Sequence, residues 1–173
     1  LDGIELRVAD DDGHPLPPGR AGTVEVRGPN VFLGYWGMPE ATAAASRPGG
    51  WFVTGDVGTL DAAGRLTLAG RASDLIISGG YNVYPKEIEL VLDQAPGVDE
   101  SAVVGLPDPD LGEVVVAVVV PDPAGGGVDE GEVLAACEAL ARFKRPRRVV
   151  VVDALPRNAM GKVQKAVLRS LLG

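Results

Sequence analysis

The sequence predicts an α+β fold in two parts: a β-rich stretch over residues 1–73, then a small α+β body over residues 74–173. Three patterns carry that reading. Up to Gly70, short period-two segments alternate with Gly, Pro and Asp turns, as half-buried antiparallel strands require. After Asp74, strand-like valine runs alternate with segments of helical period. Between them, Gly70–Glu89 reads as a strand end, a polar pivot at Asp74, a hairpin turning on Gly79-Gly80, and a helix opened by Pro85.

In the first part, Ile4–Val8 and Thr23–Arg27 alternate as strands around the turn Asp11-Asp12-Gly13. Pro39 opens a short helix through Ala45, and Val57–Leu60 and Leu66–Leu68 form a hairpin around Asp61–Gly64. In the second, Ile88, Val91 and Leu92 share one helical face. Ser101–Leu106 and Val114–Val120 read as strands, the latter buried on both faces because its valines are unbroken. Asp122–Gly127 is a loop, and Glu130–Arg142 a helix. The strand Arg148–Val152, a loop over Ala154–Gly161 and a helix over Val163–Leu172 complete the chain, the last facing a core with Val167, Leu168, Leu171 and Leu172.

Composition narrows the function. Residues 142–173 hold nine of the 16 Lys and Arg residues but only one acid, Asp153, in a chain of net charge −8. A basic segment on an acidic chain is expected to meet an anionic partner, a small polyphosphate or a nucleic acid. Few aromatics and the overall negative charge weigh against nucleic acid. His14 is the only histidine and Cys137 the only cysteine, so neither a transition-metal site nor a histidine triad is expected. Cys137 is read as core and suits a reducing cytoplasm. The valine run is too short to span a membrane, and Leu1–Glu5 shows no secretion signal. With no starting Met, the chain is expected to be a piece of a longer protein.

Several residues stand out. Taken alone, Asp56 reads as a turn-closing Asp after Gly55, and Arg71 as half of a surface ion pair. Asp74 reads as a turn residue, and Gly79-Gly80-Tyr81 as a hairpin tip. Lys162, after Gly161, is either a loop lysine or a first-turn helix lysine, a place the helix dipole disfavours for a cation. The run Phe143–Arg148 reads equally as a solvated basic edge or an anion site.

In order, the chain carries Gly22–Trp36, Thr54-Gly55-Asp56, Gly70-Arg71-Ala72-Ser73-Asp74, Ser78–Glu89 and Pro156-Arg157-Asn158-Ala159-Met160-Gly161-Lys162. This series resembles the C-terminal part of the adenylate-forming acyl-CoA synthetases, a superfamily shared with luciferases and peptide-synthetase adenylation domains. The resemblance implies that residues 1–73 end a large AMP-binding N-terminal domain and that residues 74–173 form a small mobile C-terminal domain. It implies conversion of a carboxylic acid, ATP and CoA to acyl-CoA, AMP and pyrophosphate through an acyl-adenylate.

Under the same resemblance, Lys162 is the catalytic lysine of adenylation and Asp56 and Arg71 bind the nucleotide. Asp74 is the hinge, and Gly79, Gly80 and Tyr81 border the CoA channel. Phe143 stacks on the CoA adenine, while Arg145 and Arg147 bind its phosphates. Magnesium ligands and the phosphate loop are expected in a missing N-terminal part, so the piece alone is expected to be inactive. Acetylation of Lys162 by a lysine acetyltransferase would remove its charge. Asn30–Glu40 and Gly79–Glu89 look most like bacterial malonyl-CoA synthetases; fatty and aryl acids stay open, as does a carrier protein in place of CoA. A non-catalytic nucleic-acid-binding module is the rival from another class.

Overall fold

A computed structural model describes residues 3–173; Leu1 and Asp2, the start of the expected β-rich part, lie outside the described residues. The chain divides into two compact units, Leu1–Ser73 and Asp74–Gly173.

The first unit is an antiparallel five-stranded sheet: β1 (Glu5–Ala9), β2 (Gly22–Arg27), β3 (Ser46–Arg47), β4 (Trp51–Leu60) and β5 (Leu66–Arg71), with one short helix, α1 (Pro39–Ala44). The hairpin read as Val57–Leu60 and Leu66–Leu68 is longer than its alternation suggested. β4 is the hub, flanked along its length by β2 on one side and by β3 and β5 on the other. Opposite β2 the register breaks, and Thr54-Gly55-Asp56 bulges out between the pairs Glu25↔Val53 and Thr23↔Val57. Gly55 takes φ +76°, a conformation other L-residues resist. Glu25 is fully buried, with Arg7 and Arg47 at 2.7 and 2.6 Å from its carboxylate. Two cations at hydrogen-bonding distance are what permit an acid to sit there.

The second unit is a mixed sheet covered on both faces. Its strands are β6 (Ile76–Ser78), β7 (Tyr81–Val83), β8 (Val98–Asp108), β9 (Gly112–Pro121) and β10 (Arg148–Val151). β9 pairs along its whole length with β8 and, on its other side, with β10 in parallel. Val115, Ala117 and Val119 point into one core with Ile88 and Leu92 of α2 (Pro85–Leu92) and Val133 of α3 (Glu130–Ala136). Val116 and Val118 point into the other with Leu155 and Leu168, the latter from α4 (Lys165–Leu172). Each face is dry, so every position of β9 from Val115 to Val119 must be apolar.

Two expectations need correction. The helix read as Glu130–Arg142 ends at Ala136; single 3-10 turns follow at Cys137–Ala139 and Arg142–Lys144. Leu140 leaves the helix in an extended conformation (ψ 154°), which sets Phe143 on a separate turn. The last helix begins at Lys165, and of its four expected core residues Leu168 is buried and Leu172 partly so, whereas Leu171 and Val167 are exposed. Eight helical residues packed over one face of the sheet offer one narrow apolar stripe, and the period alone over-counts it.

Cys137 is fully buried in the core, and burial pushes its thiol above the usual range against the opposing charge of Arg145. A thiol-modifying reagent should therefore leave Cys137 untouched in the native protein and label it once urea unfolds the chain. Labelling at the free-thiol rate without denaturant would contradict a closed core. Leu168→Ala should cost about 2–5 kcal/mol, read from the urea midpoint.

Candidate functional site

Three groups of the residues singled out above come together in space, each within one unit. The first is the bulge on β4. Thr54 donates its hydroxyl to Val24 O at 2.9 Å and accepts the Asp56 N–H at 3.1 Å, which fixes the bulge. Asp56 then faces Arg71 across the β4–β5 ladder, with Arg71 Nε 3.0 Å from Asp56 Oδ1. Arg71 also donates to Thr54 O at 3.1 Å. Asp56 is therefore not a turn-closing residue but one partner of a partly exposed ion pair, aimed by a bulge as such irregularities commonly aim side chains.

The second group is the Lys162 turn. Asn158 accepts the N–H groups of Met160 (3.0 Å) and Lys162 (3.0 Å) on its side-chain oxygen, and its own N–H donates to Lys162 O at 2.9 Å. Gly161 turns the chain with φ +77°, and Arg157 clasps the turn by donating to Gly161 O at 2.6 Å and to Glu100 at 2.6 Å. Lys162 is exposed and, among the described residues, has no ion-pair partner. Since α4 starts three residues later, the first-turn reading of this lysine does not apply. Lys165 supplies the anchor instead: its ammonium lies 2.5 Å from buried Glu89 of α2, whose carboxylate also accepts the Val103 N–H at 3.0 Å.

The third group is an open groove of about 400 Å³. The β6–β7 hairpin forms one wall with Ser78, Gly79 and Tyr81; its tip needs φ +57° at Gly79 and +81° at Gly80, the pattern of a two-residue hairpin turn that glycines satisfy. The Arg142–Lys144 turn and the residues after it form the other wall with Phe143, Arg145 and Arg147. Tyr81 from one wall and Phe143 from the other stack directly on each other, ring centroids 4.5 Å apart and planes 18° apart. Arg147 is exposed, as is Arg142, a lining residue the sequence reading assigned to a helix end. The excess of basic residues over positions 142–173, which begins at Arg142, was the signal available for it. Arg145 differs. Its guanidinium donates to Leu140 O (3.0 Å) and Glu138 O (2.6 Å), closing the end of the preceding turn. Gly80 does not line the groove but turns the hairpin beside it.

Asp74 opens the second unit, with Arg169 of α4 3.8 Å from its carboxylate. In the first unit, Asp10, Asp12 and His14 bring potential metal ligands within 4.8 Å of one another. They are a surface turn in which the His14 N–H holds the Asp10 carboxyl below its usual range. Among the described residues, no helix is long and apolar enough to cross a membrane.

Residues 87–162 match the family described as the AMP-binding enzyme C-terminal domain. That match lies wholly within the second unit and covers most of it. The AMP-binding enzymes that this chain resembles include the indoleacetate–CoA ligase of Aromatoleum aromaticum, 50% identical over 96% of this chain and 32% of the relative. Among solved structures, ATP-bound MatB from Rhodopseudomonas palustris is 53% identical with a TM-score of 0.91, over 99% of this chain and 34% of that one. The amide bond synthetase McbA from Marinactinospora thermotolerans is 42% identical with a TM-score of 0.92, over 100% and 35%. The chain thus spans about a third of the length of these AMP-binding enzymes and corresponds to their C-terminal part.

Replacing Asn158 with Ala should loosen the Lys162 turn without unfolding the unit. The expected result is faster hydrogen exchange at the Met160 and Lys162 amides, with core amides such as those of Val116 and Val118 unchanged.

Proposed function

We propose that this chain is the C-terminal part of an ATP-dependent acid–CoA ligase that joins a carboxylic acid to CoA through an acyl-adenylate. The observation that carries the proposal is the convergence of Gly79, Tyr81, Phe143 and Arg147 on one groove within the unit that matches the AMP-binding enzyme C-terminal domain. An aromatic stack beside arginines suits a nucleotide carrying phosphates, which is the chemistry of the CoA headgroup. Arg145 gives this groove positive charge and shape while its own donors serve the backbone.

In adenylation, an oxygen of the substrate carboxylate attacks the α-phosphorus of ATP and pyrophosphate leaves. The role of Lys162 is to offset the charge that gathers on the α-phosphate and carboxylate oxygens. An unpaired ammonium on a clamped turn costs little reorganisation to use there. Asp56 accepts hydrogen bonds from ribose hydroxyls; a carboxylate has about four acceptor sites, and the contact with Arg71 leaves capacity for them. Arg71 contacts the ribose or phosphate of the same nucleotide. In the second step the CoA sulfur attacks the acyl carbon and AMP leaves. Asp74 serves as the hinge for that change, and the Gly79-Gly80-Tyr81 tip borders the thiol's path. Magnesium is assigned to residues outside this chain.

As the resemblance implies, most of the acyl pocket is assigned to residues outside this chain. Malonate heads the candidates because of the resemblance over Asn30–Glu40 and Gly79–Glu89; indoleacetate and fatty acids follow. A carrier-protein thiol is the second acceptor to consider, and the arginine-lined groove favours free CoA over it. The ATP and CoA that the reaction consumes make the cytoplasm its expected compartment. Exposed Lys162 is also open to a lysine acetyltransferase, which would abolish its charge.

Pyrophosphate release by the full-length protein against a panel of acids tests the activity, and no release with any acid would reject it. Lys162→Ala should lower adenylation by about 10²–10³-fold, the scale of one lost electrostatic contact to a transition state. Thioester formation from supplied acyl-adenylate should be spared; equal loss of both half-reactions would remove the lysine from this role. Substitution at Gly80 is a poor probe of the thiol's path, because φ +81° strains any larger residue by itself.

A further inference from the structure

The two walls of the groove come from distant parts of the sequence, and little besides side chains joins them. The Arg142–Lys144 turn spends its backbone groups locally, Lys144 N–H on Ala141 O and Arg145 N–H on Arg142 O. Among the described residues, no main-chain hydrogen bond runs from this turn to the β6–β7 hairpin or to α2. Two contacts do the joining. One is the Tyr81–Phe143 stack. The other is an ion pair in which the Lys144 ammonium reaches both carboxylate oxygens of Glu87, at 2.7 and 2.8 Å.

Glu87 is well placed to hold this contact. It lies in the first turn of α2, where the helix dipole favours an acid, and α2 follows directly from the hairpin that carries Tyr81. Lys144 is mostly shielded, its side chain 22% exposed against 43% for Glu87, so salt screens the pair from the Glu87 side only. Its ammonium also lies over the Phe143 ring, 5.7 Å from the centroid. The lysine therefore touches the aromatic wall and the acid that fixes it.

We propose that Glu87 and Lys144 are positioning residues for the nucleotide end of CoA: their ion pair sets the spacing between Tyr81 and Phe143 and so the shape of the groove. This rests on the groove being the CoA site. The alternative for Lys144 is direct attraction of a phosphate, and the two roles give opposite signs when Glu87 loses its charge. If Lys144 binds phosphate directly, Glu87→Gln frees the ammonium, removes a nearby anion and tightens CoA binding. If the pair positions the groove, the same change loosens the wall and weakens binding.

The test uses the full-length enzyme with its best acid, measuring KM for CoA and, separately, acid-dependent pyrophosphate release. Glu87→Gln should raise KM for CoA roughly tenfold, a loss on the scale of one partly shielded contact, with adenylation within about twofold of wild type. The charge-reversed double variant Glu87→Lys with Lys144→Glu should recover most of the loss, which a contact made directly by Lys144 would not. An unchanged or lower KM for CoA in Glu87→Gln overturns the proposal, and so does a parallel fall in both half-reactions. Tyr81→Ala and Arg147→Ala separate the two levels. If they leave KM for CoA unchanged, the groove is not the CoA site and both readings fall; if they raise it while Glu87→Gln does not, only the positioning role falls.

Discussion

A strand that is dry on both faces has no position left for a polar side chain, and β9 imposes that constraint on the second unit. With Val115, Ala117 and Val119 committed to one core and Val116 and Val118 to the other, the remaining elements are arranged by which face they cover. α2 and α3 close the first face, and α4 with Leu155 closes the second. Chemistry is displaced to the rims, and both candidate features of this unit lie on segments leading into or out of the covering elements. The groove lies where the β6–β7 hairpin leads into α2, and the Lys162 turn lies just ahead of α4.

Carboxylates fasten these rims where backbone ladders run out. β6 meets β9 at a single pair, Ser78↔Gly112, and the neighbouring Ile77 N–H goes to the Glu113 side chain at 2.8 Å. Glu89 does the same for β8, accepting the Val103 N–H on the strand's free edge while holding Lys165. A covered edge is one less template for unwanted pairing. In the first unit, Glu25 between Arg7 and Arg47 is a further case of an acid used as a fastener. Such groups tolerate burial only because each is met by donors at short range.

Most strands and the glycine hairpin were legible because their signals are local. Alternation marks Glu5–Ala9 and Gly22–Arg27, unbroken valines mark β9, and Gly79-Gly80 marks a turn that needs positive φ twice. The end of α3 was not legible: nothing between Ala136 and Arg142 is a helix breaker, and the chain leaves the helix to bury Cys137 and place Phe143 on Tyr81. Tertiary packing overrode propensity there. The candidate site divides in the same way. Lys162, Asp56 and Arg71 stood out through ordered motifs, whereas the Tyr81–Phe143 stack, the Glu87–Lys144 pair and the commitment of Arg145 to carbonyls depend on partners far away in sequence or on how the chain leaves α3.

The ion pairs of the C-terminal segment change what its composition means. Of its nine cations, Lys144, Arg157, Lys165 and Arg169 each face an acid from earlier in the chain. Arg145 is turned to backbone oxygens. The basic tail that the sequence advertises is thus partly spent on fixed acids, and the charge it offers to a mobile anion rests on Arg142, Arg145, Arg147, Arg148 and Lys162. Because a cation already facing a fixed acid adds little to the field that salt can screen, anion affinity in this domain should respond to ionic strength more gently than its composition implies.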